Sequence, residues 1–113
     1  MIKHQIKNSL IAASAVLLAA GASSAIAGDP AAGQTKSATC AACHGPDGNS
    51  QIPGNPILAG QYRDYLVHVL KQYKTGERNN PIMMGMAAGL TDEDIEDLAA
   101  WYASQKGLNV LDK

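Results

Sequence analysis

The sequence predicts an all-α domain of three main helices joined by two long loops. Three observations carry that expectation. Apolar residues recur at helical spacing over 62–73 and again over 95–102. No segment alternates apolar and polar residues as a half-buried strand would. The stretches between the periodic segments are dense in glycine and proline, which regular elements do not tolerate.

The elements follow in chain order. Residues 1–27 have the composition of an export signal: Lys3 and Lys7 precede an apolar run from Leu10 to Ala20, and Ala25-Ile26-Ala27 has the small-x-small pattern of a cleavage site. The apolar run is about half of the ~20 residues a membrane-spanning helix requires, so cleavage is favoured over a permanent anchor. The mature chain is then residues 28–113, one domain without a membrane span, exported to the periplasm. Loss of Lys3 and Lys7 takes the formal net charge from −1 to −3. The remaining basic residues are scattered, and no basic patch suits nucleic acid.

A domain this small buries only about 60% of its unfolded surface. With no phenylalanine in the sequence, its side chains make a thin core. Such a scaffold needs a staple. Asp29-Pro30 starts the first helix, a capping carboxylate followed by proline at the first helical position, and the helix can continue through AAGQTKSATC. The segment 44–60, HGPDGNSQIPGNPILAG, holds four glycines and three prolines and is expected as a loop. Tyr62, Tyr65, Leu66, Val69, Leu70 and Tyr73 form one face of the second helix, closed by Gly76. A second irregular stretch, ERNNPIMMGMAAGL, follows. Thr91 with Asp94 makes a near capping box, with aspartate where glutamate or glutamine is more usual, opening the third helix, whose face is Ile95, Leu98, Ala99 and Tyr102, and Gly107 is expected to end it. The acidic run DEDIED, 92–97, is expected to be a solvated face with acids placed favourably at a helix N-terminus. It is also a candidate for steering a basic partner.

Two loops of this length need a function to justify them in a small domain. The motif CAACH at 40–44 contains the only two cysteines of the chain. Two thiols so spaced near a helix end can both reach the vinyl groups of a haem, with the next histidine beneath the iron. Three other uses compete. A zinc site needs four ligands, and beyond Cys40 and Cys43 the mature chain offers His44 and His68 without a second paired motif. A redox dithiol of the thioredoxin kind sits beside a strand, and none is expected here. A plain disulfide would leave His44 and the loops unexplained. Covalent haem c explains them and supplies the missing aromatic core.

From these residues a resemblance emerges. The short helix before CAACHG, the PILAG turn, the methionine-bearing loop and the acidic final helix LTDEDIEDLAAWYASQ, in that order, resemble class I bacterial cytochromes c, in particular cytochrome c-553 and one haem domain of cytochrome c4. The likeness spans nearly all of Gly28 to Gly107, and a cytochrome c4 would carry the pattern twice. It implies that Cys40 and Cys43 form the thioethers and that His44 is the proximal iron ligand. It implies too that the carbonyl of Pro56 accepts the Nδ1 proton of His44 and that Leu58 packs on the haem face. Gly33 and Trp101 match the small and aromatic residues where the first and last helices cross. His68 falls off the apolar face and is expected in solvent.

The sixth ligand is expected from the methionine loop. The family places it eight residues before the residue capping the final helix, which from Thr91 gives Met83, with Met86 and then Met84 as alternatives. Two filled axial positions leave no open site for a substrate, so the resemblance implies a one-electron carrier and not an enzyme. Its partners would be a redox donor and acceptor, docking transiently through Ala41, Ala42 and Met84 to Ala88. Two other functions remain open: the haem subunit of a dehydrogenase, bound to a flavoprotein or other catalytic subunit, and a haem sensor or peroxidase-like protein if the methionine does not ligate.

Overall fold

A computed structural model of the chain describes residues 16 and 27–111; the expected signal segment otherwise lies outside the described residues. The described residues are helical, with no strand among them. In order they form α1 (Pro30–Lys36), a 3₁₀ turn (Ser37–Thr39), α2 (Ala41–His44), α3 (Arg63–Thr75), α4 (Pro81–Ala87) and α5 (Asp92–Ser104). The three expected helices are α1, α3 and α5. No described helix is long and apolar enough to cross a membrane.

The starts of α1 and α5 obey the capping chemistry of their sequences. Asp29 accepts from the amide of Ala31 ahead of Pro30. Thr91 and Asp94 exchange side-chain and backbone bonds in a complete capping box. At the other end α5 stops at Ser104, with Gln105 extended, and not at Gly107 as expected. The first helix is likewise shorter than expected, tightening into the 3₁₀ turn after Lys36.

The methionine loop departs from expectation more fully. Pro81–Ala87 is a helix, because Asn80 accepts from the amides of Ile82 and Met83, both at 3.1 Å, and Pro81 occupies its first position. This is the device that starts α1. It turns the methionines from a wandering loop into a helical array.

The core lies where α5 meets α1 and α3. Leu66 of α3 packs with Leu98, Ala99 and Tyr102 of α5, and Ile95 is fully buried. At the α1–α5 crossing the backbones nearly touch: a Cβ on Gly33 would stand 2.0 Å from the carbonyl oxygen of Asp97 and 2.8 Å from Cβ of Trp101. Only glycine fits there.

The acidic run is not the uniformly solvated face expected. Asp92 and Glu93 are exposed, but Asp97 is 3% exposed. Its carboxylate accepts from Lys36 Nζ at 2.7 Å and from the amide of Asp29 at 2.8 Å, tying α1 to α5. Lys36 also meets Asp94 at 2.9 Å. A buried carboxylate is tolerated when its lone pairs are filled in this way. These bonds hold Asp97 below its ordinary carboxylate range, Lys36 contributing most and then the Asp29 amide. Asp94 is held at about 2 by the Thr91 backbone and then by Lys36. Carboxylates with folded values below their unfolded ones stabilise the fold above the unfolded value, and the contribution disappears as pH falls through the folded one. Thermal unfolding is therefore expected to show stability falling as pH drops from about 4 to about 2. Asp97→Asn is expected to flatten that fall and to lower Tm by several degrees at neutral pH; an unchanged acid profile would remove Asp97 from the clamp.

The loop after α2 is fixed to α5 by its backbone. The Gly60 amide donates to the Tyr102 carbonyl at 2.9 Å, while the Leu58 and Ala59 amides share the Gly48 carbonyl at 2.8 and 3.1 Å. These bonds set Pro56 and Leu58 opposite α2.

Candidate haem-binding site

The CAACH segment is a single helical turn. Cys40 caps α2, and the His44 amide donates to its carbonyl at 3.0 Å. Cys40 is half-buried, Cys43 is exposed, and both are free thiols, so the plain disulfide is not formed. The carbonyl of Cys43 accepts from Ser50 Oγ at 3.2 Å and Asn55 Nδ2 at 3.0 Å, which anchors the following loop beneath it.

His44 is buried, 6% exposed, and its Nδ1 lies 2.8 Å from the Pro56 carbonyl. A carbonyl only accepts, so Nδ1 carries the proton and Nε2 is left as a lone-pair donor. This bond also fixes the ring orientation.

The imidazole lines a cavity of about 220 Å³ whose walls are mainly apolar, including Leu58, Leu66 and Leu70. An adjoining lobe of about 160 Å³ shares Cys40, His44 and Met83 and adds Cys43. Met83 is half-buried and borders both lobes. Met86 also borders both but is 42% exposed. Met84 borders neither and points toward Gly76, its Cε 3.6 Å from where a Cβ would sit there. His68 is exposed and outside the slot. Among the described residues no three His, Cys, Asp or Glu side chains come together as a metal cluster, which disposes of the zinc alternative there.

Other residues at the slot were not singled out from sequence. The Tyr102 hydroxyl is buried without a hydrogen-bond partner. Burial, and then the Cys40 thiol beside it, push its pKa well above that of an ordinary tyrosine, so the phenol keeps its proton. Its place on the apolar face of α5 was readable, but not that its oxygen would face the cysteine. Arg78 lines the same cavity from a segment without periodicity. Of the expected docking residues, Ala42, Met86 and Ala88 are exposed, whereas Ala87 is fully buried and belongs to the core. Ile82, 71% exposed, is an addition to that surface.

The arrangement fits a haem on its own terms. A flat apolar group entering the slot would meet the His44 imidazole, the thioethers of Met83 and Met86 and the Cys40 thiol, with the Cys43 thiol in the adjoining lobe. The cytochrome c family profile matches residues 30–106. The chain belongs to the cytochrome c family. Members of this family carry haem c covalently, the iron-containing group that the slot of this cytochrome c fits.

Similar proteins sharpen the placement. The chain is 51% identical over 80 residues to cytochrome c4 of Pseudomonas aeruginosa, covering 71% of this chain and 40% of that one. It is 51% identical over 83 residues to cytochrome c-554(548) of Halomonas halodenitrificans, covering 71% of this chain and all of that one. Reduced recombinant cytochrome c4 from Pseudomonas stutzeri superposes with a TM-score of 0.69 at 47% identity, covering 73% of this chain and 48% of that one. The chain thus spans under half the length of these cytochromes c4. The cytochrome subunit of sulfide dehydrogenase from Chlorobaculum tepidum is 34% identical over 106 residues, covering 84% of this chain and 94% of that one.

Proposed function

We propose that this cytochrome c is a periplasmic one-electron carrier, exported by residues 1–27 and folded as one domain from Gly28. In that reading Cys40 and Cys43 would attach the haem through thioethers, and His44 Nε2 and the Met83 sulfur would hold its iron. The bound iron provides a reversible one-electron ferric/ferrous couple. Soft thioether ligation and the apolar walls of the slot both favour the less charged ferrous state, giving a relatively oxidising carrier. With His44 and Met83 both holding the iron, no coordination position would be left for a substrate, and the chain would act as a carrier and not an enzyme.

The observation that carries this proposal is the Nδ1 bond from His44 to Pro56 at 2.8 Å, because it fixes the ring and leaves Nε2 available to coordinate. His44 and the two thiols reach the slot through one turn of helix. Met83 is preferred over Met86 because it is the more sheltered of the two and borders both lobes.

Carbon monoxide provides a direct test. Native ferrous protein is expected to bind it negligibly, since its sixth position is taken. Rapid binding would overturn the carrier and favour a sensor or peroxidase-like role.

One further reading has specific support. The relative from Chlorobaculum tepidum is named as a cytochrome subunit of a sulfide dehydrogenase and matches along nearly its whole length. If this chain is likewise a subunit, it will co-purify from native extracts in fixed ratio with a catalytic partner; a free carrier will elute alone.

A further inference from the structure

Among the described residues two buried side-chain polar atoms lack a hydrogen-bond partner, Trp101 Nε1 and the Tyr102 hydroxyl. Only the second belongs to a residue that lines the slot. Tyr102 is 3% exposed and packs with Leu66, Leu98 and Ala99, which closes its phenol off from bulk water. A hydroxyl sealed in this way is costly to the fold unless it donates to a neighbour.

Cys40 and Ser37 stand beside it. Ser37 is buried, its Oγ donates to the Gln34 carbonyl at 2.7 Å, and it lines neither lobe of the slot. Cys40 packs against the cluster that contains Tyr102 and lines both lobes. The hydroxyl of exposed Thr39 lies 3.9 Å from the Cys40 sulfur. The other cysteine has different surroundings: Cys43 is exposed, borders the smaller lobe alone, and Ser50 and Asn55 bond to its carbonyl and not to its sulfur.

We propose that Tyr102 is a positioning residue for the Cys40 anchor, its buried hydroxyl donating to the Cys40 sulfur in the haem-loaded protein. This rests on the haem reading above. Addition of the Cys40 S–H across a vinyl double bond forms one C–S and one C–H bond, and the sulfur then keeps lone pairs only. A thiol can donate or accept, whereas a thioether can only accept. The phenol, which keeps its proton, is the sheltered donor beside it. Thioether sulfur is a weak acceptor, so the bond takes its worth from the cost of leaving the hydroxyl unmet. The two anchors are then unequal: the Cys40 sulfur is held against α5 from inside the fold, and the Cys43 sulfur sits at the solvent rim.

The test is resonance Raman spectroscopy of the holoprotein, reading the C–S stretches of the thioethers in ordinary water and after full exchange into heavy water. One stretch is expected to shift on deuteration in the native protein, to lose that sensitivity and change frequency in Tyr102→Phe, and to keep both in Thr39→Val. Thermal unfolding gives a second reading: Tyr102→Phe is expected to lower Tm by a few degrees, because a hydroxyl with a partner is removed. Stretches in Tyr102→Phe that coincide with the native ones in both solvents would overturn the proposal, and a lower Tm alongside them would place the proton on Ser37 or on trapped water. A Tm at or above the native value would also overturn it, showing a hydroxyl without a partner. Loss of the sensitivity in Thr39→Val, with retention in Tyr102→Phe, would assign the donor to Thr39 and overturn it equally. Should Tyr102→Phe fail to hold haem, proton NMR of the native protein decides: a slowly exchanging Tyr102 hydroxyl proton close to the Cys40 β protons supports the proposal, and its absence, or proximity to Ser37 alone, overturns it. Absence of covalent haem from the native protein would instead refute the haem reading itself.

Discussion

Replacing Met83 with alanine is expected to abolish the weak red charge-transfer band of ferric iron-sulfur ligation, lower the reduction potential and open the ferrous iron to carbon monoxide. In the proposed reading, deleting the sulfur would remove the ligand that favours ferrous iron and open a coordination position to carbon monoxide. Met86→Ala is expected to keep the band and bind carbon monoxide as poorly as the native protein. The choice between them comes from α4. Met83 and Met86 lie three residues apart on one helix and both border the slot, yet only Met83 is sheltered by its surroundings. If Met83→Ala keeps the band and Met86→Ala loses it, the ligand lies one helical turn further along. Met84 faces Gly76, so its alanine variant is expected to leave the spectrum unchanged.

The second large effect concerns Gly33. A branched side chain at this position cannot be absorbed by a rotamer change, because the obstacle is the backbone carbonyl of Asp97, 2.0 Å from the new Cβ. In Gly33→Val, α1 must lift from α5. That movement also stretches the bonds from Lys36 and the Asp29 amide to Asp97. The expected cost is about 3 kcal/mol or more, the upper end of overpacking, and Tm should fall by more than about 10 °C. Thermal unfolding of the holoprotein measures it directly, and a Tm within a few degrees of native would show that the two helices separate freely. The measurement also ranks two interactions, since Asp97→Asn removes the polar clamp while leaving the glycine contact intact.

The parts of this molecule that were legible in the sequence are those that depend on local chemistry. Asp29-Pro30 and the Thr91–Asp94 box set helix starts, and the spacing of Tyr62 to Tyr73 sets the face of α3. The bond between His44 and Pro56 followed from family likeness and joins residues twelve apart, which no local rule gives. α4 was missed although Asn80-Pro81 repeats the Asp29-Pro30 signal, because Gly85 and the methionine cluster hid any periodicity. Asp97 was grouped with its acidic neighbours as solvated, and helical geometry instead turns it toward Lys36. One turn of helix separates an exposed acid from a buried one, so composition alone could not make that distinction. Arg78 was not singled out: Gly76 was legible as the end of α3, but not that the chain would then fold back to lay the guanidinium over the ring of Tyr73.

The claim on which everything else depends is covalent haem at Cys40 and Cys43. Intact mass of the protein recovered from the periplasm of cells competent for haem attachment tests it. The expected value is that of a polypeptide starting at Gly28 plus one haem joined through two thioethers, and the mass of the polypeptide alone would contradict the account.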